Sequence, residues 1–270
     1  MQRRGGDDPA ARVRQAAAID PAARIRPQRA TLDPNICRQR RLLLPGAEET
    51  DGAAVAAYRM LRTRLLHRLR ANQWTTIAVT SADQNDGKTL TALNLAMSLA
   101  REKSREIVLL DLDMRNPSVC RTLGVTPPFE LRRFLETGEH GQEMFLSVCS
   151  ENLLVAGSTS PTEQASELLA SARLEDLLGL VMRGAVDPVV LIDLPPVLLT
   201  DDALVVAPKV DAFLIVASEG TTERADIVKT MDLLKEFPIV GVTLNRAVDG
   251  MPGYNYGYET DDNDAAGKGT

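Results

Sequence analysis

The chain has 270 residues, enough for one large α/β domain or two small ones with a buried core. Its net charge of −6 gives no overall reason to expect a nucleic-acid partner. Three widely spaced cysteines predict reduced thiols in a soluble, cytosolic protein, and no run approaches the roughly 18 apolar residues of a membrane-spanning helix.

Residues 1–48 are rich in arginine, alanine and proline and have no sustained hydrophobic period. This composition predicts a disordered basic arm, which is either a solvated tail or an electrostatic tether to anionic lipid or an acidic partner. A helix is predicted next, over about 51–70, because apolar residues repeat at three- and four-residue spacing. The stripe that should pack on the core consists of Val55, Tyr58, Leu61, Leu65 and Leu69.

The segment TSADQNDGKT, residues 80–89, lies between a predicted strand at 76–79 and a predicted helix at about 88–103. A strand, a tight loop ending in Gly-Lys-Thr and a helix form the layout of a phosphate-binding loop. Backbone amides would hold the phosphates, Lys88 would reach the β and γ oxygens, and the Thr89 hydroxyl would ligate Mg²⁺. The predicted nucleotide-binding residues are Ala82 (where the motif has its first Gly), Asp83, Gln84, Asn85, Asp86, Gly87, Lys88, Thr89 and Leu90.

Beyond this helix, apolar runs alternate with helical patterns, as in a parallel sheet that is covered on both faces. The predicted strands are 107–112, 153–156, 189–192, 212–217 and 239–244, and the predicted helices are 119–123, 131–136, 163–170, 173–182 and 222–234. We therefore predict an α/β domain over residues 49–247 with a mostly parallel sheet and helices on both faces. Residues 248–270 are rich in glycine, aspartate and asparagine, which predicts a flexible tail.

Three carboxylates follow predicted buried strands: Asp111, Asp113 and Asp193. The carboxyl ends of parallel strands line the ligand crevice of such a sheet, and the phosphate-binding loop lies at the same edge. Mg²⁺ prefers carboxylates, hydroxyls and waters, so Thr89 with Asp193 or Asp111 would hold the ion that accompanies a nucleoside triphosphate. The remaining carboxylate would orient or deprotonate the attacking hydroxyl.

Together these segments resemble the Walker A, Walker A′ and Walker B motifs of the bacterial tyrosine kinases of capsule and exopolysaccharide export. Those kinases are P-loop NTPases related to the Min/Par partition ATPases, and the resemblance covers roughly residues 51–246. The matching residues are Asp111, Asp113, Arg115 and Pro117 in Walker A′, Asp193, Pro195 and Pro196 in Walker B, and the later pairs Asp202-Ala203 and Asn245-Arg246.

The resemblance implies ATP and Mg²⁺ as ligands and assigns roles to the matching positions. Asn245 would contact the nucleotide, while Thr89, Asp111 and Asp193 would hold Mg²⁺ and its waters. Asp113 would be the base for the incoming hydroxyl. The catalytic set that follows is Lys88, Asp111, Asp113 and Arg115.

The chain departs from the family pattern at two places. Gln84, Asn85 and Asp86 replace the family's Pro, Gly and Glu in the loop. Asparagine tolerates a left-handed backbone and aspartate keeps the charge, so the loop should still close. The family also assembles rings through a Glu-x-x-Arg-x-x-Arg helix. Arg59 and Arg62 match this pattern, but Ala56 replaces the glutamate, so we expect self-association without the family's intersubunit salt bridge and consider the ring doubtful.

Three of the four tyrosines, Tyr254, Tyr256 and Tyr258, lie in the predicted tail, inside a stretch of five residues. A segment with so few apolar residues has no packing reason to contain three tyrosines. They resemble the family's C-terminal tyrosine cluster, which a neighbouring subunit phosphorylates. Phosphates would add negative charge to an acidic tail, and we expect an acidic catalytic crevice to repel that tail and loosen any oligomer.

The leading hypothesis is a cytoplasmic protein-tyrosine autokinase that regulates polysaccharide synthesis and export. It would act at the inner face of the membrane through a polysaccharide co-polymerase that activates it. One alternative is a Min/Par-type partition ATPase, although Asp83 stands where those proteins usually have an additional lysine. A nucleotide-binding scaffold with little turnover is the other alternative.

Overall fold

The strands form one sheet that is parallel except at one edge. The structure, a computed structural model, describes residues 24–44 and 52–247. The strands are β1 (Gln28–Arg29), β2 (Thr76–Ser81), β3 (Ile107–Asp111), β4 (Leu146–Ser147), β5 (Leu153–Ala156), β6 (Val189–Asp193), β7 (Ala212–Ser218) and β8 (Ile239–Asn245). Their order in the sheet is β1-β4-β5-β3-β6-β2-β7-β8. Strands β5, β3, β6, β2, β7 and β8 are mutually parallel, β4 is antiparallel to β5, and β1 runs parallel to β4.

Helices cover both faces of this sheet. They are α1 (Pro34–Gln39), α2 (Gly52–Asn72), α3 (Lys88–Leu99), α4 (Val119–Leu123), α5 (Leu131–Thr137), α6 (Ala165–Ala170), α7 (Ala172–Gly184), α8 (Asp202–Val206) and α9 (Arg224–Leu233). Buried residues of α1 to α4 share one apolar cluster with the sheet, and those of α5 to α8 share the cluster on the opposite face. The predicted α/β class with a mostly parallel sheet is confirmed.

The central strands are buried along their whole length, which explains why they appear as uninterrupted apolar runs in the sequence. Every residue of β2, β3 and β6 is buried. In the sheet register Asp111 at the end of β3 lies opposite Asp193 at the end of β6, and Asp193 lies opposite Val79 of β2. The phosphate-binding loop and both carboxylates therefore emerge at the same edge.

The prediction of disorder across residues 1–48 is wrong for residues 24–44. Ile25, Cys37 and Leu42 are buried in the two apolar clusters, and β1 pairs with β4. The Asn94 side chain of α3 accepts a hydrogen bond from the Leu43 amide at 2.9 Å and donates to the Arg41 carbonyl at 3.0 Å. Isolated apolar residues in an arginine-rich stretch thus find partners far away in the sequence, where a local hydrophobic period cannot reveal them.

The predicted helix after this segment is confirmed as α2. Leu65 and Leu69 are buried, as is Leu66, whereas Tyr58 and Leu61 are half-buried against the same cluster. No helix in the described part of the chain is both long and apolar enough to cross a membrane. The remainder of the predicted basic arm and the tail tyrosines Tyr254, Tyr256 and Tyr258 lie outside the described residues.

Candidate active site

The phosphate-binding loop connects the end of β2 to the start of α3 and contains two left-handed residues. Gly87, directly before α3, has φ = 90°, and Asn85 has φ = 64°. A Cβ atom at Gly87 would overlap the Asn245 side chain, so only glycine fits there. The prediction that asparagine can supply the left-handed backbone of this loop is confirmed.

Side chains from the segment after β7 and from the end of β8 hold the phosphate-binding loop from one side. The buried Asp86 carboxylate accepts hydrogen bonds from the Asp83 amide at 3.1 Å and from the Thr222 hydroxyl at 2.7 Å. The Asn245 amide group donates to the Asp86 carbonyl at 2.9 Å, and the Arg246 guanidinium donates to the Asn85 carbonyl at 2.8 Å. Asn245, which we predicted to contact the nucleotide, therefore holds the loop itself.

The two functional side chains at the start of α3 each meet a buried carboxylate. Lys88 Nζ lies 2.8 Å from Asp113 Oδ2. The Thr89 hydroxyl donates to Asp193 Oδ2 at 2.6 Å and lies 2.9 Å from the Ser118 hydroxyl. The fold thus brings together residues from three separate motifs, as the sequence predicted.

Asp111 lies beside them but is engaged by the backbone. Its Oδ2 atom accepts hydrogen bonds from the amides of Ser118 at 2.9 Å and Val119 at 2.8 Å, at the beginning of α4. Its Oδ1 atom accepts from the Asp113 amide at 3.3 Å. These bonds fix the loop that carries Asp113, and they favour Asp193 over Asp111 as the carboxylate closest to a metal.

Three carboxylates surround Lys88, and both burial and their mutual repulsion disfavour the ionised form of the carboxyl groups. Burial, reinforced by the neighbouring Asp193, raises the pKa of Asp111 above its ordinary value. Burial also raises the pKa of Asp193 to about 6, although Lys88 and the Thr89 hydrogen bond act in the opposite direction. Burial lowers the pKa of Lys88, but Asp193, Asp113 and Asp111 outweigh this effect and raise it overall. A further cation would relieve this repulsion.

The donor set fits Mg²⁺ that is shared with phosphate oxygens and water. Asp193 Oδ1 is buried and has no hydrogen-bond partner, whereas Asp193 Oδ2 accepts from the Thr89 hydroxyl, which in turn lies beside the Ser118 hydroxyl. Within the described ranges, no three carboxylate, imidazole or thiolate groups converge to enclose a metal by themselves. Mg²⁺ ions that accompany nucleotides are typically held in this way, by one or two protein groups and the substrate phosphates.

Arg115, predicted to be catalytic, is held in an ion pair at the side of the site. Its Nε atom lies 2.9 Å from Asp202 Oδ2, and Asp202 is fully buried at the start of α8. Its terminal nitrogen donates to the Ser166 hydroxyl at 2.9 Å. Sequence reasoning missed Ser166 on α6 and Thr222 between β7 and α9, because single hydroxyls far away in the sequence carry no motif of their own.

A cleft of about 610 Å³ opens in front of the loop. Among the described residues that line it, Asp113 is the only acid, and five are basic: Arg40, Lys88, Arg115, Arg121 and Arg246. Asp111 and Asp193 lie deeper. The expectation of an acidic crevice is therefore wrong for the lining of the cleft, because basic residues predominate there and the carboxylates are buried. The effect of tail phosphorylation on an oligomer stays a prediction.

Comparison with known proteins agrees with this geometry. A model of the ParA family, described as NUBPL iron-transfer P-loop NTPase, matches residues 73–256. The chain is 32% identical over 176 residues to tyrosine-protein kinase CpsD of Streptococcus pneumoniae serotype 4, covering 63% of this chain and 75% of that protein. It is 28% identical over 216 residues to tyrosine-protein kinase YwqD of Bacillus subtilis, and the match covers 76% of this chain and 86% of that protein.

Among solved structures, the kinase domain of the Escherichia coli tyrosine kinase ETK is similar with a TM-score of 0.66 and 25% identity. The match covers 78% of this chain and 84% of that domain. The family-model match over residues 73–256 includes the phosphate-binding loop and the strand ends that carry the carboxylates. The chain belongs to the ParA-type P-loop NTPases and, within them, to the bacterial protein-tyrosine kinases.

Proposed function

We propose that this kinase transfers the γ-phosphoryl group of ATP to tyrosines of its own tail, with Asp113 as the base. The tyrosine oxygen forms a bond to the γ-phosphorus, the bond between that phosphorus and the β,γ-bridging oxygen breaks, and ADP leaves. The tyrosine proton passes to Asp113. The observation that carries this proposal is the 2.8 Å contact of Lys88 with Asp113, directly beside the pair of Thr89 and Asp193.

Lys88 has two partners in this scheme. It pairs with Asp113, and it would turn to the β and γ phosphates when ATP binds. That change releases the Asp113 carboxylate to accept a proton. Thr89 and Asp193 would hold Mg²⁺, which when bound neutralises charge on the phosphate oxygens.

Replacing Asp193 with asparagine is expected to stabilise the ligand-free protein at pH 7 while weakening Mg-nucleotide binding by about 10- to 100-fold. A folded pKa of about 6 lies above the value of about 3.9 in an unfolded chain. The free energy of unfolding therefore decreases as pH rises from about 4 to 6, because the buried Asp193 carboxyl ionises less readily than it does in the unfolded chain. Above about pH 6 the whole cost of burying the ionised carboxylate applies. The asparagine variant has no carboxyl at this position, so its free energy of unfolding should not show this decrease with pH.

Thermal denaturation between pH 4 and 8 and titration with Mg-ADP test this expectation. In the wild-type protein, Mg-ADP affinity should also fall as pH drops below about 6, because the protonated carboxyl cannot bind the ion. Asp232→Asn, an exposed position on α9, is the control for loss of one negative charge. Unchanged Mg-ADP affinity in Asp193→Asn would exclude Asp193 as a metal ligand.

We also propose that the kinase regulates capsule or exopolysaccharide synthesis at the inner face of the membrane, together with a polysaccharide co-polymerase. The resemblance to the kinases of polysaccharide export supports this assignment. Self-association should use contacts other than the family salt bridge. Ala56 is exposed and cannot supply the carboxylate, and Arg62 donates to the Ser98 carbonyl of its own chain at 2.9 Å.

Changing Tyr254, Tyr256 and Tyr258 to phenylalanine is expected to remove most phosphotyrosine and to leave ATP binding unchanged. The reason is that the tail begins only a few residues after β8, whose last residue, Asn245, contacts the phosphate-binding loop. A random-coil chain of ten residues has an end-to-end distance on the order of 15–20 Å, and a tail of that reach would meet its own cleft or that of a neighbour.

Phosphotyrosine should be measured by mass spectrometry after incubation with Mg-ATP, with Tyr58→Phe as the matched control for a tyrosine on α2. Full phosphorylation of the triple variant would show that the tail is not the substrate. ATP hydrolysis by the wild type without phosphotyrosine would instead favour a partition-type ATPase. Nucleotide binding with neither activity would favour a scaffold.

A further inference from the structure

Two arginines form one wall of the cleft. Arg40 follows α1 and Arg121 lies on α4, and both side chains are exposed and line the cleft. The Arg40 guanidinium donates to the Arg121 carbonyl, and the Arg121 guanidinium donates to the Asn116 side chain at 3.1 Å. Neither has an acidic side chain within salt-bridge distance in the part of the chain that the structure describes. Their charges are therefore available to an anionic ligand.

Hydrogen bonds connect this wall to the proposed base. The backbone amide of Asn116 donates to Asp113 Oδ1 at 3.1 Å. Arg121, Asn116 and Asp113 therefore follow one another along the same side of the cleft. Arg246 lies instead against the phosphate-binding loop, where it donates to the Asn85 carbonyl. The acceptor hydroxyl has to reach Asp113, and the arginine wall adjoins that residue.

We propose that Arg40 and Arg121 form an acceptor subsite that binds carboxylates of an acidic peptide next to the tyrosine to be phosphorylated. The inference rests on the proposed kinase function and adds a substrate preference to it. A guanidinium group can donate two parallel hydrogen bonds to one carboxylate, whereas the ammonium group of a lysine cannot. Arg115 does not contribute, because Asp202 already neutralises it.

The tail of a second copy of this chain has the required chemistry. Tyr258 is followed by four carboxylates within six residues: Glu259, Asp261, Asp262 and Asp264. Attraction between this segment and the arginine wall would bring the tyrosines toward Asp113 and would weaken as salt screens it. The placement of Arg40 also gives residues 24–44 a role, because this segment supplies half of the subsite.

Peptide phosphorylation by the full chain tests the proposal. The enzyme has Tyr254, Tyr256 and Tyr258 changed to Phe, so that added peptide is the acceptor. One peptide spans residues 250–266, and the second has its four carboxylates after Tyr258 replaced by amides. In this background, Arg40→Gln with Arg121→Gln should lower kcat/KM for the acidic peptide by about 100-fold, roughly tenfold for each arginine. The amide peptide should be affected little.

Arg38→Gln is the matched control, because Arg38 is exposed on α1, donates to Asn35 and does not line the cleft. Arg38→Gln should leave kcat/KM for both peptides unchanged. The KM for ATP should be unchanged in all variants, and thermal denaturation should show that they are folded. Equal losses for the two peptides, or a raised KM for ATP, would overturn the proposal, since the arginines would then serve the fold or the nucleotide.

A measurement of peptide binding tests the arginine subsite independently of the proposed kinase function. Fluorescence anisotropy of the acidic peptide with phenylalanine in place of tyrosine needs no catalysis. Weaker binding to the double arginine variant, combined with no phosphorylation of any peptide by the parent enzyme, would reject the kinase proposal and retain an acidic-peptide site. Binding that does not depend on the arginines would reject the subsite even if the peptides are phosphorylated.

Discussion

Replacing Lys88 with methionine is expected to lower ATP turnover and tyrosine phosphorylation by at least about 10²–10³-fold. Lys88 is the cation at the start of α3, where the phosphates of a bound nucleotide would lie. Phosphoryl transfer depends mainly on positioning and on electrostatic stabilisation of the transferred group. Methionine keeps much of the side-chain length but removes the charge. Steady-state assays of both activities measure the effect.

The same substitution should also destabilise the ligand-free protein by about 3 kcal/mol, because it leaves Asp113 buried without its partner. Adding Asp113→Asn to Lys88→Met should restore most of this stability without restoring activity. Thermal denaturation of the wild type, the single variant and the double variant therefore separates folding from catalysis. Normal rates in a folded Lys88→Met protein would remove the whole assignment of the active site.

Asp113→Asn alone is expected to lower the rate of phosphoryl transfer by about 10²–10⁴-fold while Mg-nucleotide affinity changes little. Asparagine can occupy the same space and still accept the hydrogen bond from the Asn116 amide, but it cannot take the proton of the tyrosine. Lys88 loses its resting partner and is free to meet the phosphates. Single-turnover transfer rates and Mg-ADP titrations measure the two quantities separately.

Asp193→Asn provides the contrast, because it should act chiefly on Mg-nucleotide affinity. Asp113 forms an ion pair with Lys88, whereas Asp193 accepts from the Thr89 hydroxyl and has one unpartnered oxygen. If both variants changed affinity and rate to the same extent, the division of roles between the two carboxylates would be wrong.

The central part of the fold was predictable because its residues carry strong local signals. Strands buried on both faces need uninterrupted apolar runs, so β3, β5 and β6 were recognised within one residue of their observed ends. The left-handed backbone of Asn85 could be predicted as well, since asparagine tolerates that conformation better than other non-glycine residues. By contrast, β1 and β4 have two residues each, too short for a hydrophobic period to register, and α8 was not predicted either.

By itself the sequence determined which candidate site residues meet at one edge of the sheet: the Gly-Lys-Thr loop and three aspartates that follow apolar strands. It could do so because a parallel sheet collects the ends of its strands at one edge whatever the details of packing. Only the tertiary structure decided which contacts each of these groups makes. Asp111 accepts backbone amides, Asp113 faces Lys88, and Asn245 braces the loop. The tertiary structure also brought Arg40 to the cleft, because that placement depends on contacts between residues more than 50 positions apart in the chain.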